Sequence, residues 1–316
     1  MSENHSPERV TASSEHDILS RLAFATLNEQ RRSRRWSIFF KSLGFLYLFL
    51  LLFMFMGDFE EGEPKGRHTA LVELEGVIDG VAGVSADQVN SSLRAAFENS
   101  DVAGIILRIN SPGGSPVQSG EIFDEIRRLR QEYPDTPLYA VVGDICASGG
   151  YYVAAAADAI YVNKASIVGS IGVLMNGFGF VETLDKLGVE RRLYTAGENK
   201  GFLDPFSPEQ PQQVQHIRTL LDNVHRQFID AVKQGRGERL KDEKAIFSGL
   251  VWTGEEGIGL GLVDGLGSAD YVAREVIGAE RIVDYTAQPD YLERFFERFG
   301  ATTMKLLTEQ ATPRLR

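Results

Sequence analysis

Residues 102–114 read VAGIILRINSPGG, an apolar run that ends in a tight loop of proline and glycine. A continuous apolar run is typical of a parallel strand that is buried on both of its faces. Residues 138–150, LYAVVGDICASGG, repeat this order of apolar run and glycine-bearing loop. The two stretches predict buried strands over 102–109 and 138–143, each followed by a sharp turn.

Predicted helices separate these strands. Ser85 and Ser115 each precede a glutamine by three residues, which is the spacing of a helix capping box. Ser207 precedes Pro208 and predicts the start of a long helix with apolar residues at helical spacing. Further strands are predicted over 70–78, 159–162, 167–174 and 191–195, and helices over 85–99, 115–132, 148–157, 181–187 and 208–234. The alternation predicts an α/β fold with a largely parallel sheet.

The composition is that of an ordinary globular protein. The chain has 316 residues, of which 43% are hydrophobic and 24% charged, and its formal net charge is −11. An acidic chain without an extended basic face is a poor candidate for binding nucleic acid. Cys146 is the only cysteine, which excludes an intrachain disulfide, and we expect it to be a packing residue. The sequence has no His/Cys cluster and no nucleotide-binding fingerprint, so we expect neither a metal nor an organic cofactor.

Residues 36–56, WSIFFKSLGFLYLFLLLFMFM, are predicted to be a transmembrane anchor. About 20 apolar residues cross a bilayer as a helix. A cleaved signal peptide is the alternative, but no A-x-A-like site follows the run, and a buried core helix would be amphipathic. Four arginines between positions 31 and 35 precede the run, and acidic residues follow it. The positive-inside rule then places the N-terminus in the cytoplasm and the rest of the chain outside.

These features divide the chain into four parts. A cytoplasmic, partly disordered segment, the anchor, a linker and a globular domain occupy residues 1–35, 36–56, 57–68 and 69–316. Within the first part, residues 1–16 are predicted to be disordered and residues 18–30 to form a short amphipathic helix. A last amphipathic helix, predicted over residues 291–307, packs on its own domain, on a neighbouring subunit or on the membrane surface.

Three glycine-bearing loops follow predicted strands, at residues 111–114, 147–150 and 169–172. In a parallel sheet, the loops at the carboxyl ends of the strands gather at one edge and form the site. Ser148 stands where a strand turns into a helix, so its hydroxyl would lie beside the free N–H groups of the helix N-terminus. This position suggests a nucleophile, although Ala-Ser-Gly-Gly is not G-x-S-x-G and a helix start rich in small residues explains it equally well.

A nucleophilic serine needs a base. No histidine lies between His68 and His216, the stretch that contains the candidate loops, which disfavours a Ser-His-Asp triad. Lys200 lies in a loop directly after the predicted strand 191–195. A lysine acts as a base only when its pKa falls by roughly three units, as burial can achieve. From the residues alone, a solvated surface lysine remains the alternative.

Five segments resemble, in combination and in order, the signal peptide peptidase family of SppA type. They are NSPGGSPVQSGEI, GDICASGGYYVA, IVGSIGVL, YTAGENKG and WTGEEGIGLGLVDGLG, and the resemblance covers roughly residues 70–285. The resemblance is to the short form of the family, with one copy of each catalytic motif. It implies the ClpP/crotonase superfold, with stacked βαβ units, and proteolysis by a Ser/Lys dyad.

The resemblance also implies roles for individual residues. Ser148 would be the nucleophile and Lys200 the general base, while the hydroxyl of Ser170 would orient the base. The backbone amides of Gly114 and Gly149 would form the oxyanion hole. A ring-like homo-oligomer is expected as well, with an octamer as one such form.

The expected function is that of a membrane-anchored serine endopeptidase that degrades cleaved signal peptides or other membrane-associated peptides. Its catalytic domain would lie on the extracytoplasmic side of a bacterial inner membrane. One alternative is a crotonase-like acyl-CoA enzyme, which shares the fold and the oxyanion hole but needs neither the Ser/Lys pair nor an export anchor. The other is a non-catalytic membrane scaffold, which would not depend on Ser148.

Overall fold

A computed structural model describes residues 8–56, 66–80, 83–241 and 244–287. The chain divides into two compact units, Met1–Pro64 and Lys65–Arg316. The amphipathic helix predicted over 291–307 and most of the predicted linker lie outside the described residues.

In the first unit, the structure describes one helix, α1, that runs without a break over Glu8–Met56. No proline and no glycine occurs between residues 8 and 43, so nothing in the sequence interrupts the backbone hydrogen bonds. The expectation of disorder up to residue 16, followed by a separate short helix, is therefore wrong from residue 8 onward.

Part of α1 is suited to a bilayer. By length and composition, Glu29–Phe53 could cross a membrane. Its mean hydropathy is 1.8, and its most apolar stretch has no residue buried against the rest of the protein. Its 25 residues span roughly 38 Å at about 1.5 Å per residue, against a hydrocarbon core of about 30 Å. A signal sequence near the N-terminus would share these properties, so the anchor stays a prediction.

The second unit is built on one eight-stranded sheet in the described part of the chain. Its strands are β1 His68–Glu75, β2 Val102–Ser111, β3 Leu138–Ala147, β4 Ala159–Val162, β5 Ile167–Gly169, β6 Val251–Thr253, β7 Gly265–Leu266 and β8 Ile282–Asp284. The order is β6-β5-β3-β2-β1-β8, and β4 pairs with β3 and β7. All pairings are parallel except β5 with β6, which confirms an α/β fold with a largely parallel sheet.

Strand β3 changes its partner along its length. On one edge it follows β2, with a register shift between Ile109 and Ser111. On the other edge, its first half pairs with β4 and its last three residues pair with β5. The irregularity lets the strand bend between the two partners. Because of this bend, the end of β3 lies between β2 and β5, and the turn that follows β3 lies beside the ends of both strands.

Helices α2 (Ala86–Glu98), α3 (Pro116–Glu132) and α4 (Gly149–Ala154) connect the first four strands as βαβ units. The predicted capping box of α2 is confirmed, since Ser85 and Gln88 bond each other's backbone amides. Ser115 likewise caps α3 through the amide of Gln118. The residues that these helices bury on the sheet include Leu93, Ile122 and Ile126, all fully buried. Burial of each such side chain contributes about 1.5–3 kcal/mol to folding.

Helix α5 (Val181–Leu187) was predicted with the same bounds, but two other predictions nearby are wrong. Residues 191–195 form no strand and are exposed, because no neighbouring strand pairs with them. The long helix, α6, spans Pro211–Arg236 and so begins at a later proline than expected. A proline disfavours the helical conformation at the residue before it, and Gln210 is extended, with φ −104° and ψ 127°.

Residues 174–210, called the extension below, contribute nothing to the core, since none of them is buried. Large apolar side chains are nevertheless frequent in it. Leu174 is 79% exposed, Phe178 81%, Leu187 70% and Tyr194 88%. Soluble proteins seldom leave so much apolar surface without a partner.

A buried ion pair holds the end of α6 on the sheet. Arg236 is 1% exposed and donates to both carboxylate oxygens of Asp264, at 2.7 and 2.9 Å. Asp264 also accepts the amide of Ile160 at the start of β4. Burial alone would raise the pKa of Asp264, but the hydrogen bonds and charge of Arg236 outweigh it and hold that pKa below its ordinary value.

Candidate active site

Ser148 occupies the sharp turn between β3 and α4. Its backbone has φ 51° and ψ −121°, a conformation that costs a non-glycine residue about 1–3 kcal/mol. Two hydrogen bonds hold it there: its amide donates to Gly169 O, and its carbonyl accepts the amide of Tyr152, both at 2.9 Å. The side chain makes no helix-capping hydrogen bond. The fold thus fixes the serine backbone and leaves its hydroxyl available.

Two glycine amides lie next to each other beside this serine. A Cβ on Gly114 would overlap the carbonyl of Ile78, so this position requires glycine, and a Cβ on Gly149 would stand 2.4 Å from Ser119 Oγ and 3.2 Å from the Gly114 nitrogen. Within the described part of the chain, neither amide donates to another backbone group. Adjacent free N–H groups of this kind can bind the oxyanion of an acyl-transfer reaction.

Ser111, which the sequence analysis did not single out, supports this arrangement. Its buried hydroxyl accepts the amide of Gly113 at 3.1 Å. Its carbonyl oxygen lies 3.0 Å from where a Cβ of Gly150 would be. In the sheet, Ser111 of β2 is the register partner of Cys146 of β3. Ser111 therefore joins the Gly114 loop to the Ser148 turn. A polar residue at the buried end of a strand, directly before Pro-Gly-Gly, was the available signal.

Cys146 is fully buried near the end of β3, two residues before Ser148. Burial raises the pKa of its thiol well above the ordinary value. A thiol that is buried and protonated packs rather than reacts, as the sequence analysis expected.

Ser170 follows β5 and is the second serine with a positive φ, at 54°. Its amide donates at 2.7 Å to the carbonyl oxygen of Leu250, the residue directly before β6, and this bond fixes the turn at the end of β5. Ser170, Ser148, Gly114 and Gly149 all line one cavity of about 520 Å³. The cavity walls also include apolar side chains, among them Pro112, Pro116, Tyr152, Val173, Leu174, Val224 and Phe228. Such a site can accept an apolar side chain beside a nucleophile.

Lys200 is not among the residues that line this cavity. It lies exposed in the extension, where its amide donates to Gly197 O at 3.1 Å. A second cavity, of about 440 Å³, lies between the extension and the start of α6, and Lys200 does not line it either. Of the five residues named from sequence, four therefore meet at one site within a single copy of the chain, and Lys200 does not.

The two histidines of α6 also lie outside the cavity lining. His216 is exposed and packs edge-on against Phe202, with ring centroids 5.9 Å apart. His225 is half-buried, and its Nε2 lies 3.1 Å from the carbonyl oxygen of Ile171, next to Ser170. His225 is thus placed to support the Ser170 turn rather than to take a proton from Ser148.

Comparison with known proteins agrees with this geometry. The profile of Peptidase family S49 matches residues 131–281, which contain Ser148, Ser170 and Lys200. A putative protease of Synechocystis, slr0021, is 31% identical over 204 residues, which are 65% of this chain and 71% of that protein. The putative signal peptide peptidase SppA of Enterococcus faecium is 29% identical over 196 residues, 62% of this chain and 56% of its own. The chain belongs to peptidase family S49 and resembles its SppA-type members.

Two further matches cover very different shares of the proteins they match. A Brucella abortus protein named Na(+)/H(+) antiporter NhaA is 46% identical over 186 residues, 59% of this chain. The chain spans only 25% of that relative's length. Among solved structures, a lysine-to-alanine mutant of the 1510-N membrane-bound stomatin-specific protease, in complex with a substrate peptide, matches with a TM-score of 0.45 and 13% identity. The match covers 74% of this chain and 98% of that one.

Proposed function

We propose that the chain is a serine endopeptidase in which Ser148 is the nucleophile. The observation that carries the proposal is the backbone of Ser148, at φ 51° and ψ −121° beside the free amides of Gly114 and Gly149. Strain of this kind persists where the surrounding fold holds a residue for a function. Membership of a peptidase family supports the same reaction.

In the proposed reaction, a base takes the proton from Ser148 Oγ as this oxygen attacks the carbonyl carbon of the peptide bond. The resulting oxyanion accepts hydrogen bonds from Gly114 and Gly149, and loss of one such donor costs about 3 kcal/mol in the transition state. The protonated base then gives its proton to the leaving amine, and water hydrolyses the acyl-enzyme. Ser170, on the same cavity, orients the base through its hydroxyl.

Lys200 is the proposed base, and another copy of the chain supplies it. This proposal rests on two observations: Lys200 is exposed, and it is not part of the Ser148 cavity of its own chain. An extension that docks over a neighbouring cavity would bring the amine to the serine and exclude water. A lysine acts as a base in its neutral form, which removal from water favours.

A homo-oligomeric ring, such as an octamer, is the proposed form of the assembly. The apolar side chains exposed on the extension support it, because contact with a second copy would remove Phe178 and Tyr194 from water. A ring would enclose the active sites and admit short or unfolded chains. Such a restriction suits an enzyme that clears peptide fragments.

The proposed substrates are peptides at the membrane, among them cleaved signal peptides. The name of the Enterococcus relative supports this substrate class. The apolar segment Glu29–Phe53 supports a single-pass anchor, and the arginines before it support a cytoplasmic N-terminus. The catalytic unit would then face the extracytoplasmic side of a bacterial inner membrane.

Covalent labelling tests the nucleophile. The full chain in detergent is treated with a fluorophosphonate, which reacts with activated serines. We expect labelling that Ser148→Ala abolishes and that Ser92→Ala, a change at a buried serine on α2, leaves intact. Labelling that persists in Ser148→Ala would refute the assignment.

The same preparation separates the two alternative functions. A crotonase-like enzyme would bind acyl-CoA, and turnover of acyl-CoA would survive Ser148→Ala. A scaffold would neither be labelled nor hydrolyse peptides while still assembling. Peptide hydrolysis that depends on Ser148 contradicts both.

A further inference from the structure

Four side chains share one face of α1 where its apolar segment begins. At about 100° per residue, Arg32, Arg35, Trp36 and Phe39 point to one side of the helix, and together they line an open groove. The ring centroids of Trp36 and Phe39 are 5.9 Å apart, in an edge-on arrangement. The groove thus places two guanidinium groups next to an aromatic pair.

This basic face has no acidic partner in the described part of the chain. Neither Arg32 nor Arg35 forms an ion pair there, and both side chains are exposed. Glu29 is the only acidic residue between positions 29 and 57. The positive charge is therefore available to an anion from outside the chain.

We propose that this groove binds the phosphate group of an anionic phospholipid. The proposal rests on the anchor part of the proposed function and is independent of the peptidase chemistry. A guanidinium group forms paired hydrogen bonds with phosphate oxygens. Tryptophan prefers the depth of lipid headgroups, which sets Arg32 and Arg35 at the phosphate level.

The two neighbouring arginines provide an internal comparison. Arg31 and Arg34 carry the same charge, but neither of them lines this groove. A diffuse attraction between arginines and an acidic membrane would treat the two pairs alike. A binding groove would depend on Arg32 and Arg35 specifically.

Quenching of Trp36 by brominated lipids tests the proposal. The full chain, made inert by Ser148→Ala, is placed in nanodiscs of phosphatidylcholine and phosphatidylglycerol, in which one lipid or the other is brominated. The emission of Trp252, the second tryptophan, is measured in Trp36→Phe and subtracted. Both leaflets have the same composition, so the direction of insertion does not affect the result.

We expect brominated phosphatidylglycerol to quench Trp36 several-fold more than an equal fraction of brominated phosphatidylcholine. The double variant Arg32→Gln/Arg35→Gln should abolish this preference, and Arg31→Gln/Arg34→Gln should retain most of it. Equal quenching by both lipids would contradict a phosphate-binding groove. Equal loss of the phosphatidylglycerol preference in both double variants would contradict it as well. Absence of quenching by either lipid would contradict the anchor as well. None of these outcomes depends on whether Ser148 is a nucleophile.

Discussion

The amide of Ser148 donates to the carbonyl oxygen of Gly169, so the turn that holds the serine is bonded to the turn that holds Ser170. Gly169 has φ 101°. A Cβ at this position would lie 3.0 Å from Cδ1 of Trp252 and 3.1 Å from the carbonyl oxygen of Leu250. The two serines therefore share one backbone support, which favours glycine both by its positive φ and by the close approach of Trp252 and Leu250.

Gly169→Ala should consequently lower kcat/KM for peptide hydrolysis by a large factor, while it lowers the unfolding temperature only modestly. A displacement of about 1 Å at a catalytic group can lower the rate by about 100-fold. Measurement of kcat/KM beside thermal unfolding separates the two effects. Gly259→Ala is the matched control, because Gly259 lies on a helix with open space around it and alanine there should be neutral or mildly stabilising. Equal activity in both variants would contradict the shared support.

Ser148→Ala and Lys200→Ala should each abolish hydrolysis alone, yet restore it when the two proteins assemble together. In a mixed assembly, a cavity with an intact Ser148 can receive Lys200 from a neighbouring copy. Random mixing would reconstitute roughly a quarter of the sites. Co-expression of the two variants with different affinity tags, followed by tandem purification and a peptide assay, measures the recovery.

Lys186→Ala is the control for this experiment, since Lys186 lies on α5 of the same extension. It should keep activity on its own. If the mixed assembly forms but stays inactive, Lys200 acts within its own chain or does not act as the base.

Ser111→Ala should lower kcat several-fold and leave KM nearly unchanged. The variant leaves the buried amide of Gly113 without its acceptor, so the loop that carries Gly114 loses a support close to the proposed oxyanion. Ser92→Ala is a close match, because Ser92 is also buried and also accepts a backbone amide, that of Ala287, away from the site. Both variants should lose about 1–3 kcal/mol of stability, but only Ser111→Ala should lower kcat. Equal kcat in both would remove Ser111 from the site.

Asp264→Asn should destabilise the domain by about 3–5 kcal/mol, because it leaves Arg236 charged and buried without its partner. Glu132→Gln, which removes an exposed ion pair with Arg128, should cost about 1 kcal/mol or less. Thermal unfolding of the two variants at neutral pH makes the comparison. Similar losses of stability in the two variants would show that burial does not strengthen the contribution of the Arg236–Asp264 pair.

The same carboxyl predicts a dependence on pH. The pKa of Asp264 is lower in the folded domain than in the unfolded chain, so its contribution to stability is complete above the unfolded value of about 4. That contribution disappears as the pH falls through the lower, folded pKa. The stability gap between the original chain and Asp264→Asn should therefore narrow below about pH 4, and a constant gap would contradict the assignment.

The elements that the sequence predicted well are those determined by neighbouring residues. Ser85 and Ser115 cap their helices with side chains three positions away, so their role is visible in a short window. The sharp turn at Ser148, where an apolar run meets a glycine pair, is visible in the same way. Residues 191–195 were misread because a strand also needs a partner, which sequence alone does not supply.

The resemblance named Gly114, Gly149 and Ser170 beside Ser148, and the structure places all four on one cavity, while their catalytic roles stay proposals. The role of Ser111 depends on a contact with the Gly150 backbone far along the chain, which no local pattern reveals. In the proposed assembly, the position of Lys200 relative to Ser148 depends on a neighbouring copy, and a single chain does not contain that information.

The exposure of Lys200 on a segment without any buried residue has a consequence for the newly made protein. If Lys200 serves a neighbouring copy, as proposed above, a lone copy is an inactive precursor, although nothing has to be cleaved from it. Its activation would depend on how densely copies collect in the plane of the membrane. Proteolysis would then switch on with assembly, and a cell would be protected from stray single copies during export.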